Sequence, residues 1–361
     1  MVNVFQALTS TSFPSNYLKT ANACDNDAEI DGFRLFNLSE NSVAIKSQFP
    51  TGQNLSVSYY RNLTDAQLEK NEISQTQPFR NESVFEQMLY VRVESDDNGE
   101  CFGFGPHLKL VVEPRPDFEL EVSVIYCLNL PPITVSTFNA QGIYTYEWKN
   151  ENGTVVGSDP FLEISTAGDY SVIATSVEGC ESFSKTIKVI PSVIATVTEN
   201  DITVVDDSTN NSITINTNNL GIGNYEFSLD DPYKNYQDEP SFQNITPGLH
   251  TIYVQDKNNC GIAPIEVSVI GYPKFFTPNN DGQNDTWNVL GASENFYQSA
   301  TVHIFDRFGK LITEINLYSD GWNGLLNGQL LPSTDYWFSV ELVDLKGNTR
   351  VKKGHFSLIR R

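Results

Sequence analysis

The sequence contains no run of about 18 apolar residues, the length a membrane-spanning helix needs, and so holds no candidate for one. Basic residues are scarce. The 361 residues include 23 Lys and Arg against 45 Asp and Glu, a formal net charge of −22. A surface of that sign repels phosphate backbones, which argues against nucleic acid as a partner. Residues 272–361 hold nine basic and nine acidic residues, so the whole excess lies upstream. Catalytic signatures are missing too: no GxSxG, HExxH, Walker A or strand–helix GxGxxG occurs. The four histidines, His107, His250, His303 and His355, are far apart in sequence, and the last two are expected as partly buried strand positions. This is the pattern of a non-enzymatic chain.

Cysteine is sparse and widely spaced, at Cys24, Cys101, Cys127, Cys180 and Cys260. No CxxC pair or other metal-type spacing exists, which argues against zinc. Wide spacing fits disulfides that close long loops in an oxidising compartment. One bridge per domain, Cys24–Cys101 and Cys127–Cys180, is the simplest expectation, with Cys260 left as the odd thiol. The start, Met1-Val2-Asn3-Val4-Phe5-Gln6, lacks the basic and apolar regions of a signal peptide, although the rest reads as extracellular. The expectation is therefore a piece of a longer precursor.

What the chain does have is β pattern. Two methionines stand against 16 tyrosines and 22 phenylalanines, a balance suited to half-buried strands. Apolar and polar residues alternate in Leu55-Ser56-Val57-Ser58-Tyr59-Tyr60, Leu89-Tyr90-Val91-Arg92-Val93 and His250-Thr251-Ile252-Tyr253-Val254. Only Thr64 to Ile73 looks helical, with Thr64 as its N-cap. Proline-containing breaks at Glu113-Pro114-Arg115-Pro116, Ile190-Pro191-Ser192 and Gly271-Tyr272-Pro273 divide the chain into 1–115, 116–192, 193–271 and 272–361. The fold class is all-β, a tandem array of immunoglobulin-like β-sandwich domains. In the second domain Cys180 follows Glu178-Gly179 and so sits in a turn, which limits the immunoglobulin likeness to architecture. The wording of the third domain resembles the short repeats of gliding-motility adhesins.

The last 90 residues carry ordered blocks. Phe275-Phe276-Thr277-Pro278-Asn279-Asn280-Asp281-Gly282-Gln283-Asn284-Asp285-Thr286-Trp287 comes first. Phe305-Asp306-Arg307-Phe308-Gly309-Lys310, Gly321-Trp322-Asn323-Gly324, Tyr336-Trp337 and Gly354-His355-Phe356 follow. In this order they resemble the type B C-terminal domain of the type IX secretion system, the gliding-motility-associated C-terminal domain. Asn280 stands where that family usually has Gly, a change expected to alter a turn. The resemblance implies a targeting domain recognised by the type IX translocon and a PorP/SprF-like outer-membrane barrel protein. Strand addition at an open sheet edge is a physically reasonable mode. Trp287, Trp322 and Trp337 are the large pieces expected in its core.

Two acidic turns suggest calcium, the one cofactor the sequence raises. Asp25, Asp27 and Asp31 alternate ahead of Gly32, and Asn279, Asp281, Asn284 and Asp285 form a second candidate; neither has the full EF-hand register. The competing expectation is that these side chains cap their own turns. The function expected is the C-terminal part of a large secreted surface adhesin with spacer domains and an unknown extracellular ligand. The alternative is the tail of a secreted enzyme or glycan-binding protein exported by the same system.

Overall fold

The computed structural model describes residues 12–27, 29–97, 102–316 and 318–360, and these are nearly all β. They form two compact units, one of residues 1–124 and 132–190, the other of 125–131 and 191–361. The division passes through two strands, Ser123–Cys127 and Lys185–Ser192.

The first unit begins with a four-stranded sheet in the order Lys19–Cys24, Phe102–Glu113, Glu86–Ser95, Leu55–Tyr60. The first pair is parallel and the others antiparallel. Period two places Leu55, Val57 and Tyr59 on one face, where they pack with Leu89, Val91, Leu108 and Leu110. Two short helices depart from the expected pattern. The one anticipated at Thr64–Ile73 runs Leu63–Leu68, capped by Asn62, whose Oδ1 accepts from the Asp65 N–H at 2.9 Å. It stops at Glu69, which takes a left-handed φ of 51°. The other, Ser39–Lys46, buries Asn41 and Ile45.

A second sheet includes, in order, Val155–Gly157, Thr145–Asn150, Gly168–Thr175, Lys185–Ser192 and Ser123–Cys127, with Phe161–Ile164 and Ile133–Ser136 as a separate pair. Trp148 is fully buried, its Nε1 donating to the Asp159 carbonyl at 2.9 Å, so it serves the core and offers nothing to a glycan.

The expected disulfides are corrected here. Cys24 pairs with Cys180 and Cys127 with Cys260, each pair lying within one unit. Cys101, the expected partner of Cys24, lies outside the described residues. Cys180 sits in the turn after Gly168–Thr175 and Cys260 in the turn before Ile262–Val269, so both project from the ends of their sheets rather than into them. Turn cysteines of this kind reach a neighbouring segment, not the opposite sheet of their own domain. Arg115 spans the first of these junctions. Its Nε donates to the Asp25 carbonyl at 2.9 Å, its Nη1 to the Glu181 carbonyl at 3.5 Å, and its guanidinium lies 4.0 Å from the Phe183 ring centroid.

In the second unit, Ile202–Val205, Ser212–Ile215 and Ser241–Gln243 form one sheet; Tyr225–Leu229, Gly248–Asp256 and Ile262–Val269 form another. Ile213, Ile215, Phe227, Ile252, Val254 and Val269 are buried between them. Beside the Cys127–Cys260 bridge, buried Asp256 accepts from Ser192 Oγ at 3.0 Å and from the Asn224 N–H at 3.1 Å. Asn129 Nδ2 donates to the Cys260 carbonyl at 2.9 Å. Cys127, Asn129 and Ser192 are thus tied to this sheet by a covalent bond and a polar network.

Candidate functional site

The C-terminal stretch is a five-stranded sheet ordered Phe275–Phe276, Thr349–Leu358, Thr334–Asp344, Tyr297–Phe305, Leu311–Asn316. Most of the motif residues build its interior. Phe276, Trp287, Trp322, Tyr336 and Phe356 are buried together, with Trp287 stacked on Phe356 at a centroid distance of 4.1 Å. Trp287 and Trp322 also exchange two backbone hydrogen bonds of 2.9 Å. Gly321 permits that approach: at φ +92° a Cβ there would lie 2.6 Å from the Trp287 carbonyl oxygen. Gly324 and Gly354 are similarly confined, against Leu358 and Phe338.

The turn from Asn279 to Asp285 is held by its own side chains. Asp285 accepts from the N–H groups of Asn279, Asn280 and Gly282 at 2.9, 2.6 and 2.8 Å. Burial raises its carboxyl, but the donors from Gly282, Asn280 and Asn279 outweigh that and hold it below the usual aspartate range. Asp281 accepts from the Gln283 N–H at 2.8 Å, and the Asn284 carbonyl from the Thr277 N–H at 2.7 Å. Asn280 adopts φ 65°, the left-handed conformation a Gly there would take. Pro278 is half-buried at the mouth of this turn, and Gly282 has a φ of 83°.

Phe305, Arg307, Gly309 and Lys310 surround the hairpin between Tyr297–Phe305 and Leu311–Asn316. Asp306 Oδ1 accepts from the N–H groups of Phe308 and Lys310 at 2.8 and 2.9 Å. Trp337 is corrected from core to surface. It is 42% exposed because its neighbours Tyr336 and Phe338 take the inward positions. Strand register places it opposite both Phe305 and His355, and Phe305 opposite Leu311. A row Leu311, Phe305, Trp337, His355 therefore crosses the sheet, and Phe305 and Trp337 line an open cleft of about 500 Å³ together with Arg307 and Lys353. Sequence reasoning missed this row. His355 is exposed, contrary to expectation, whereas His303 is half-buried on its strand. His250 binds Asp230 Oδ2 and the Thr246 carbonyl, both at 2.7 Å, and His107 packs against Phe13; the four histidines form no common site.

The sheet is anchored to the preceding domain. Arg350 donates to both oxygens of Asp206, at 3.0 and 2.6 Å, and that side-chain bond raises its pKa despite partial burial. Asp206 also accepts from the Ile270 N–H at 3.0 Å, and Lys352 pairs with Asp207 at 2.6 Å.

Of the acidic turns, Asp25, Asp27 and Asp31 are brought together, one oxygen of each within 4.8 Å of the others. No helix among the described residues is long and apolar enough to cross a membrane.

Residues 270–358 match the CHU_C Type IX secretion signal domain, and such a signal directs export to the cell surface. Residues 20–116 match FIDD, the Flavobacterium inter-domain disulphide bond domain. No curated protein sequence matches the chain. Among solved structures, immunoglobulin domains 1–5 of Sidekick-1 share 12% identity, covering 97% of this chain and 81% of that one, with a TM-score of 0.28. A Ca2+-stabilized adhesin that helps an Antarctic bacterium bind ice shares 12%, covering 86% and 91%, at a TM-score of 0.27. Fibronectin(III)-like modules of Clostridium thermocellum CbhA share 15%, covering 43% and 93%, at 0.24. Likenesses of this distance fix neither partner nor ligand.

Proposed function

We propose that this chain, with a type IX secretion signal domain in its last quarter and a FIDD domain near its start, is the C-terminal part of a large surface adhesin of the gliding type. It is non-enzymatic. The domains before the tail act as a spacer, at boundaries 1–115, 116–192 and 193–271, and set a distal adhesive region away from the surface. The tail, 272–361, is bound by the type IX translocon and a PorP/SprF-like outer-membrane barrel protein.

The secretion-signal match carries this reading, and the outer face of the tail gives it a physical surface. Leu311 and Trp337 are 50% and 42% exposed on a sheet whose core is already complete, so they contribute little to folding and much to an apolar contact. The strand Leu311–Asn316 is the last of its sheet, and its edge is available for strand addition.

A pull-down from detergent-solubilised outer membranes tests the proposal with three proteins: the full chain, the chain lacking 272–361, and W337A. The full chain retrieves a translocon component or the barrel protein, the truncation retrieves neither, and W337A retrieves less. Equal retrieval by the truncation would place the contact upstream and refute the assignment.

A further inference from the structure

We propose that Asp25, Asp27 and Asp31 form a calcium site beside the Cys24–Cys180 bridge, with buried Asp25 as its central ligand. Two independent observations converge on it. One oxygen from each of the three carboxylates lies within 4.8 Å of the others. Calcium holds its oxygen ligands at about 2.3–2.6 Å, so two ligands on opposite sides of one ion stand roughly 4.6–5.2 Å apart, and the three oxygens fit one coordination sphere.

The second observation is the state of Asp25. Its side chain is fully buried. Oδ2 accepts from the Gly32 N–H at 2.9 Å, but Oδ1 is buried with no hydrogen-bond partner among the described residues. A buried carboxylate oxygen without a donor is costly, and a coordinated cation beside two further carboxylates is one arrangement that satisfies it.

Charge leads to the same place. Arg34 Nη1 pairs with Asp27 Oδ2 at 2.7 Å, and Arg80 Nη2 with Asp31 Oδ2 at 3.0 Å. Two guanidiniums thus face three carboxylates, and among the described residues no cation pairs with the buried one, Asp25. Arg115 does not supply it, because its Nε donates to the Asp25 backbone carbonyl rather than to the side chain. Both arginines hold Oδ2 atoms, and among the described residues no donor pairs with Oδ1 of Asp27. Among the described residues Asp31 Oδ1 accepts only the Phe33 N–H, at 3.0 Å, and keeps a lone pair for the ion.

Gly32 and Arg34, just after Asp31, are also fixed in advance. Buried Asn81 accepts from the Arg34 N–H at 2.6 Å and donates to the carbonyls of Gly32 and Ser83 at 2.8 and 2.7 Å. Gly32 has φ +72° and lies so close to Val84 that a Cβ would stand 2.7 Å from its Cγ1. An ion bound here would stiffen the segment that Cys24 joins to Cys180.

The test uses the full oxidised chain, stripped with EDTA and desalted, then titrated with calcium chloride by calorimetry and melted with and without calcium. D25N and D27N are compared with D285N, which alters the other acidic turn. Asp27 is exposed, so D27N folds even if D25N does not. The wild-type chain and D285N are expected to bind calcium with Kd at or below the order of 10⁻⁴–10⁻³ M seen in extracellular modules, and to melt higher in its presence. D27N and D25N should weaken binding at least about tenfold and lose the shift, as for any ligand that binds only the folded state. Absence of binding to the wild-type chain, unchanged affinity in D27N, or loss of binding in D285N instead would each overturn the assignment.

Discussion

Replacing both cysteines of the first bridge, C24S/C180S, removes a cross-link between residues 156 apart in sequence. Chain-entropy bookkeeping for a loop of that length gives about 5 kcal/mol of stabilisation, nearly all of it from restricting the unfolded chain. The non-covalent contacts at the same junction are smaller. The two hydrogen bonds from Arg115 contribute about 1 kcal/mol each, and its stacking on Phe183 about as much again. The bridge therefore dominates. For a unit of 150–250 residues, 1 kcal/mol shifts the melting point by roughly 2–4 °C, so the variant should melt about 10–20 °C lower. Differential scanning calorimetry of the oxidised wild-type chain and of C24S/C180S, with Cys127–Cys260 left intact, measures this directly. The transition should also broaden or split as the two sheets lose their common unfolding event. A shift below about 3 °C with an unchanged profile would refute the reasoning, because it would mean that the loop is not closed in a shared transition.

Two further outcomes can be checked on the same protein. Trp287→Ala empties a fully buried site and should destabilise the tail by about 3–5 kcal/mol, whereas Trp337→Ala should cost under about 1 kcal/mol; urea unfolding of both variants separates core from surface. Burial lowers the pKa of His107, which outweighs its contact with the Tyr17 carbonyl. The unfolded chain then binds the proton first, and stability falls as pH drops below about 6.5 towards the depressed folded value. His107→Gln should flatten that part of the pH–stability curve of the first unit, and an unaltered slope would refute the role.

Much of the fold was legible because a period of two is a direct consequence of strand geometry. Leu55–Tyr60, Glu86–Ser95 and Gly248–Asp256 all lie where alternation placed them. The helix Ser39–Lys46 was not legible, since it has no apolar stripe: Val43 is 77% exposed and Asn41 buried. Disulfide pairing failed for a different reason. Spacing alone favours partners within a domain, whereas pairing is decided by which turns meet in space. A signal was present, though. Cys180 after Glu178-Gly179 and Cys260 between Asn259 and Gly261 are turn cysteines at domain ends, placed to reach out of a domain rather than across its core. Trp337 was misplaced by size. Its parity was readable, because Tyr336, Phe338, Val340 and Leu342 occupy the inward register and force Trp337 outward.

Domains of this size bury limited apolar surface each, and a bridge between segments that are distant in sequence lets neighbouring sheets share one unfolding event. That device requires an oxidising compartment, which a chain exported to the cell surface encounters. The tail is built otherwise. Residues 272–361 contain no cysteine, and their stability comes from the stack of Phe276, Trp287, Trp322, Tyr336 and Phe356, together with a turn that caps itself. Its fold therefore does not wait on oxidation. A signal read during export gains from that independence, because the surface offered to a translocon is complete whether or not the upstream bridges have formed. The division of chemistry along the chain, with acidic cross-linked domains first and a charge-balanced aromatic domain last, separates the part whose bridges need an oxidising compartment from the part that carries the export signal.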